Sequence, residues 1–204
     1  MNAGVGLVKA YLRANGYFTL SELPVIRKGK GGQFYEVTDI DLLAIRFPLA
    51  SFIVSAGKPG VEDDITFEHD AELELDKRAM DVIIAEVKTG KPTINPGLLQ
   101  AETLNTAILR AGVCPPNRTA AVVHSLQTTG RAHISREEGP VEARIRVMAF
   151  GDGKPGDRGR YQVISLAHAA RFLRNHLRRY RDMLAPVEHG DETLELLHLL
   201  DKLS

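Results

Sequence analysis

Apolar positions along the chain change period several times, and each change predicts an element. Val5, Val8, Tyr11 and Leu12 recur at helical spacing, and Gly16 can stop that helix. Phe18 to Arg27 reads as a strand, with Pro24 marking an edge or a bend. Lys28-Gly29-Lys30-Gly31-Gly32 is a turn. Glu36 to Phe47 is a second strand, apolar on both faces, so the two strands predict a hairpin. Residues 57–80 break the pattern. They are acid-rich and read as an exposed excursion with a short extra strand at Ala71 to Leu75. From Asp81 to Lys88, residues Val82, Ile83, Ile84, Ala85 and Val87 make both faces apolar, as in a central strand covered on both sides.

Beyond that strand, Pro96 can open a helix whose stripe is Leu98, Ala101, Leu104 and Ile108, ending at Gly112. Ala120 to His124 reads as a buried strand. Glu142 to Phe150 alternates Arg144 and Arg146 against Ile145 and Val147, the pattern of a half-exposed strand. A polar loop, 151–159, leads to a short strand from Tyr161 to Ile164. Ser165 can N-cap a long helix to about Leu184, with Leu166, Ala170, Leu173, Leu177, Tyr180 and Leu184 inward. Glu192 to Leu203 is a last amphipathic helix. A hairpin followed by a strand–helix–strand crossover predicts an α/β fold, with a mixed central sheet flanked by helices on both faces. The expected division is one domain over 1–185, with 57–80 as an insertion, and a C-terminal helix over 186–204.

Composition narrows the function classes. The 204 residues carry 26 Lys plus Arg against 26 Asp plus Glu, so any basic surface must be local. The single Cys114 excludes an internal disulfide framework and a multi-thiolate zinc site, and it fits a reducing, cytoplasmic setting. No apolar run approaches the roughly 20 residues of a membrane span, and no signal-peptide pattern opens the chain.

The chemistry lies where charge interrupts buried strands. Glu86 and Lys88 share a face of the Asp81–Lys88 strand with Val82 and Ile84, so a carboxylate and an ammonium emerge together where an apolar strand ends. Asp41 shares a face with Asp39, Leu43 and Ile45 in the second strand. If the two strands are neighbours, Asp41 approaches Glu86, and two such carboxylates repel unless a proton or a divalent cation lies between them. Oxygen ligands suit Mg²⁺ or Mn²⁺, with the carbonyl of Val87 as a further donor. Lys88 would then orient or deprotonate a water and stabilise charge on a phosphate.

These residues resemble the PD-(D/E)xK nuclease superfamily over roughly residues 5–125. Thr38-Asp39-Ile40-Asp41-Leu42-Leu43 looks like its Asp-bearing strand, and Ile84-Ala85-Glu86-Val87-Lys88-Thr89-Gly90 looks like its Glu-x-Lys strand. The opening helix with Tyr11-Leu12, then Gly16-Tyr17-Phe18, is similar to the start of many members. The resemblance implies a restriction-endonuclease-like fold of core order αβββαβ, metal ligands Asp41 and Glu86, and a catalytic Lys88. It also implies a Mg²⁺- or Mn²⁺-dependent cut of nucleic acid, DNA first, in repair, recombination or defence. Two departures stand out. Ile40 occupies the family's Pro position, and residues 1–16 hold no acid where many members have a helix Glu. Glu22 is the nearby substitute.

Other positions stay open between two readings. Gln100 would bond a phosphate or the attacking water, or is a solvated helix residue. Asp39 is an accessory acid or a salt-bridge partner. Asp63, Asp64, Glu68, His69 and Asp70 lack the spacing of a calcium loop and read as a solvated acidic loop. Gly29 to Gly32 with Lys30 lacks a phosphate-loop pattern and reads as a hairpin turn. Arg171, Arg174, Arg178 and Arg181 form a stripe that tracks a phosphate backbone or is a solvated face. Leu196, Leu197, Leu200 and Leu203 dock the last helix on its own domain or join two copies in a homodimer. The rival function is a non-catalytic nucleic-acid-binding or assembly module on the same fold.

Overall fold

The computed structural model describes residues 2–50, 53–54, 65–66, 68–152, 160–184 and 190–203. In chain order these form α1 (Ala3–Ala14), β1 (Phe18–Lys28), β2 (Phe34–Arg46), the two-residue strands β3 (Ile53–Val54) and β4 (Ile65–Thr66), β5 (Met80–Val87), α2 (Ala101–Ala111), α3 (Thr119–Thr129), β6 (Arg131–Ile134), β7 (Ala143–Gly151), β8 (Gln162–Ser165), α4 (Leu166–Arg179), α5 (Arg181–Leu184) and α6 (Glu192–Leu203). The acidic stretch 57–64 and the loop 153–159 lie outside the described residues. So do Asp63, Asp64 and the expected boundary at 185–186. Among the described residues no helix is long and apolar enough to cross a membrane.

The main sheet has six strands in the order β1-β2-β5-β7-β6, with β8 also on β7. β1 and β2 form the expected hairpin, β2 runs antiparallel to β5, and β5 runs parallel to β7. Parallel neighbours need a crossover, and α2 and α3 supply it. Every residue of β5 is buried, because each face has its own core. Val82 and Ile84 pack with Leu104, Ile108 and Leu126 under α2 and α3. Ile83, Ala85 and Val87 pack with Val5, Tyr11, Leu12, Ala169 and Leu173 under α1 and α4. The mixed α/β sheet flanked by helices is thus as expected.

Several elements differ from the sequence reading. Ala120 to His124 belongs to α3, not to a strand: its buried residues Thr119, Val122, Val123 and Leu126 keep helical spacing. A short apolar run does not distinguish a buried helix from a strand. The strand that follows is β6, which starts at Arg131 just after α3. α2 starts at Ala101 rather than at Pro96, because Asn95 Oδ1 accepts from Gly97 N at 2.9 Å and holds 95–98 in a turn. Ala71 to Leu73 is a 3₁₀ turn capped by Asp70, not a strand. The helix from Leu166 breaks at Tyr180, whose hydroxyl accepts from Glu68 N at 3.0 Å. The acidic loop is not a solvated one at its end: Asp70 is buried and accepts from Tyr11 Oη at 2.8 Å, and His69 meets Arg46. Leu194 and Leu197 of α6 pack on the core, and Leu196 and Leu200 stay exposed.

The half-exposed reading of β7 fails at Arg146, which is 1% exposed. Its guanidinium lies against Asp81, also 1% exposed, with Nη2 to Oδ2 at 2.5 Å. Arg144 Nε reaches Asp81 Oδ1 at 3.0 Å, and Tyr17 Oη donates to Oδ2 at 2.5 Å. Burial alone would raise the Asp81 carboxyl, but the Arg146 charge and the hydrogen bonds from Arg144, Arg146 and Tyr17 hold it below its ordinary range. A depressed folded-state pKa gives stability that is present above the unfolded value near pH 4 and lost as pH falls through the folded one. Removing one partner of a buried pair leaves the others without compensation. Asp81→Asn is expected to lower stability by about 3–5 kcal/mol in denaturant melts at pH 7, and the gap to wild type should narrow as pH falls below about 4.

Candidate functional site

The register of β2 on β5 runs from Arg46–Asp81 to Leu42–Ala85, so the next step would set Asp41 opposite Glu86. The backbone ladder stops there. In its place the Asp41 side chain accepts from Val87 N, with Oδ2 at 2.7 Å. Glu86 is 5% exposed and its Oε1 lies 2.5 Å from Lys88 Nζ. The Asn95 backbone lies close enough to favour the charged Glu86 carboxylate. The sequence reading missed Asn95. Its signal was Asn95-Pro96-Gly97, a turn signature directly after the Glu-x-Lys strand.

β1 bends at the same level. Its pairing with β2 passes from Ser21–Leu42 to Leu23–Ile40 and skips Glu22 and Asp41. Glu22 has φ 54°, left-handed for a non-glycine residue. Both Leu43 and Ile40 pack under α2 and α3, so strict alternation along β2 is broken between them. Asp41 therefore stands where the hairpin changes face. Strain of this kind costs about 1–3 kcal/mol and persists only where the surroundings enforce it.

The electrostatics are unbalanced. Burial raises the Asp41 carboxyl; the Val87 N–H and the Lys88 charge oppose this, and Asp39 and Glu22 add repulsion. Burial also raises Glu86, against the Lys88 hydrogen bond, and Asp41 repels it further. Lys88 is held above its usual range by the hydrogen bond to Glu86, with Asp41 and Asp39 adding to it. The structure thus brings Asp41, Glu86, Lys88, Asp39 and Glu22 into mutual electrostatic range. Asp39 and Glu22 are exposed at its rim.

It does not bring everything together. Gln100 is the exposed N-cap of α2, and its side chain does not cap the helix. Arg171, Arg174, Arg178 and Arg181 are exposed on α4 and α5. α4 packs on the Ile83–Ala85–Val87 side, the face of β5 opposite Glu86.

Two desolvated carboxylates of raised pKa on adjacent strands fit one hard divalent cation, which would relieve their repulsion. Among the described residues no group of three or more acid, His or Cys side chains is placed to hold a metal. Side chains would therefore supply two ligands, Asp41 and Glu86, with main chain such as the Val87 carbonyl and water completing the set. No family model, curated protein or solved structure matches the chain.

Because such an ion would bind the folded state, Mn²⁺ or Mg²⁺ at 100 times its dissociation constant should stabilise the protein by about 2.7 kcal/mol. Asp41→Asn keeps an acceptor for Val87 N–H and removes a charge. It should melt no lower than wild type in chelator, and its melting temperature should not respond to Mn²⁺.

Proposed function

We propose that the chain is a metal-dependent nuclease with a restriction-endonuclease-like core, in which Asp41 and Glu86 hold Mg²⁺ or Mn²⁺ and Lys88 is the catalytic lysine. The observation that carries this reading is a pair of carboxyls both raised by burial, Asp41 beside Glu86 with Lys88 on the Glu86 carboxylate, at the end of a wholly buried strand. The order α1, β1, β2, β5, then α2, α3 and β6 before β7, with β5 and β7 parallel, supports the fold assignment.

When bound, Mg²⁺ or Mn²⁺ supplies Lewis acidity towards a phosphoryl oxygen. The chain's own groups do the rest. Asp41 is oriented by Val87 N–H, and Glu86 by Lys88. Lys88 is 41% exposed at its side chain, so its ammonium faces both Glu86 and an incoming phosphate. Its raised pKa keeps it charged at neutral pH, which suits stabilising phosphate charge more than removing a proton from water. Glu22 and Asp39, at the rim, add negative potential that favours cation entry. The exposed arginines of α4 and α5 offer a basic surface to a nucleic-acid backbone, DNA being the first substrate to try. The exposed leucines of α6 offer a surface for a homodimer.

Purified protein with Mn²⁺ should cut single- or double-stranded DNA or RNA, and chelator should stop the reaction. Lys88→Ala and Glu86→Gln should each lower the rate by about 100-fold or more. Equal cleavage by wild type and Lys88→Ala, or no cleavage of any of these substrates, would refute the assignment.

A further inference from the structure

β2 pairs with β5 only from Leu42 onward; Ile40 and Val25 still pack on the core under α2, and beyond them residues 34–38 and their β1 partners extend as a two-stranded arm with no third strand among the described residues. Phe34 lies seven residues from Asp41, or about 23 Å along the strand. The arm closes tightly, with Gly29 N to Gln33 O at 2.8 Å and Gly32 at φ 85°. A projecting arm ordinarily covers itself with polar groups, but this one does not. Phe34 is 70% exposed, Ile26 55% and Tyr35 44%. Lys28 faces Phe34 across the hairpin, its Nζ 5.9 Å from the ring centroid.

The charge is one-sided. Residues 27–35 hold Arg27, Lys28 and Lys30 and no acid, in a chain of zero net charge. Arg27, one residue from the tip pair, is ion-paired to Glu102 at the start of α2, which braces the arm. Lys28 remains beside the Phe34 ring, and Lys30 is exposed in the turn at the tip. Flat exposed rings next to cations bind a polyanion whose monomers carry π-faces. An apolar protein partner would leave the two lysines without complementary charge. Resting on the nuclease reading above, we infer that this arm, through Phe34, Lys28 and Lys30, is the platform on which an unpaired stretch of the nucleic-acid strand stacks as it enters the Asp41–Glu86 site.

Binding without chemistry separates this inference from the nuclease reading. A fluorescein-labelled oligonucleotide of about 20 bases, single-stranded and as a blunt duplex, is titrated in chelator and followed by anisotropy across a salt series. Phe34→Ala should weaken single-strand binding by about five- to 150-fold, one base stack, weaken the duplex less, and be rescued by Phe34→Trp. Lys28→Ala with Lys30→Ala should lower the single-strand salt slope by about 1.4, two phosphate contacts at ~0.7 each. All three side chains are peripheral to both cores, so melting temperatures should not change. Unaltered binding in both variants, equal weakening of both probes by Phe34→Ala, or no binding by wild type would each overturn the platform. Arm-dependent binding with no cleavage in Mn²⁺ would sink the nuclease reading and leave the platform standing.

Discussion

The antiparallel register of β2 on β5 constrains charge at both ends of the same strand. Fixing Leu42 against Ala85 brings Arg46 level with Asp81 at one end and Asp41 level with Glu86 at the other. A slip of one residue would turn every side chain of β2 to the wrong core, so neither juxtaposition is free to vary. The two ends resolve it in opposite ways. Asp81 receives two guanidiniums and a phenol, and its carboxyl is held low. Glu86 receives one exposed ammonium and an acidic neighbour, and its carboxyl is pushed high. One buried acid is fully offset by its cationic partners, and the other keeps a raised carboxyl beside a second acid despite its ammonium partner.

The backbone around Asp41 shows what it takes to keep such a pair. An ordinary ladder would have carried β1 and β2 past β5 without interruption. Instead Glu22 is left-handed, the hairpin changes face, and a carboxylate substitutes for a carbonyl at Val87 N. Behind the strand, α1 begins so close that a Cβ on Gly4 would lie 3.3 Å from Val87 Cγ1. The strand end is thus packed closely against α1 on the face opposite Glu86.

Much of this was legible in the residues, and the exceptions have physical causes. Strand period and burial are written in Val82 to Val87, and the Glu86–Lys88 spacing needed no structure. The hairpin was readable from its glycine turn. Asp81 and Arg146 were not readable as partners, because a salt bridge between β5 and β7 depends on a crossover of variable length. Arg146 looked like the outer position of a half-exposed strand. Val122 and Val123 misled for another reason: their β-branched propensity points to a strand, and packing of α3 under the sheet overrides it. Glu22's strain leaves no mark on composition at all.

The arginine stripe on α4 illustrates how a surface pattern divides once contacts are assigned. Arg171 Nη2 donates to His168 Nδ1 at 3.0 Å, and an arginine has no other role in a hydrogen bond. Nδ1 is therefore the unprotonated nitrogen, and Nε2 donates to Asp70 at 2.6 Å. The same Asp70 oxygen takes the Tyr11 hydroxyl, and Asp70 N donates to Asn15 Oδ1. Arg171 is thus the outer member of a chain that ties α4 to α1 and to the segment leading into β5. Arg179 is likewise engaged with Glu68. Two of the cations on this helix hold the scaffold that positions β5. Periodicity alone set Arg171 on one face with Arg174, Arg178 and Arg181, because it records where side chains point and not what they touch.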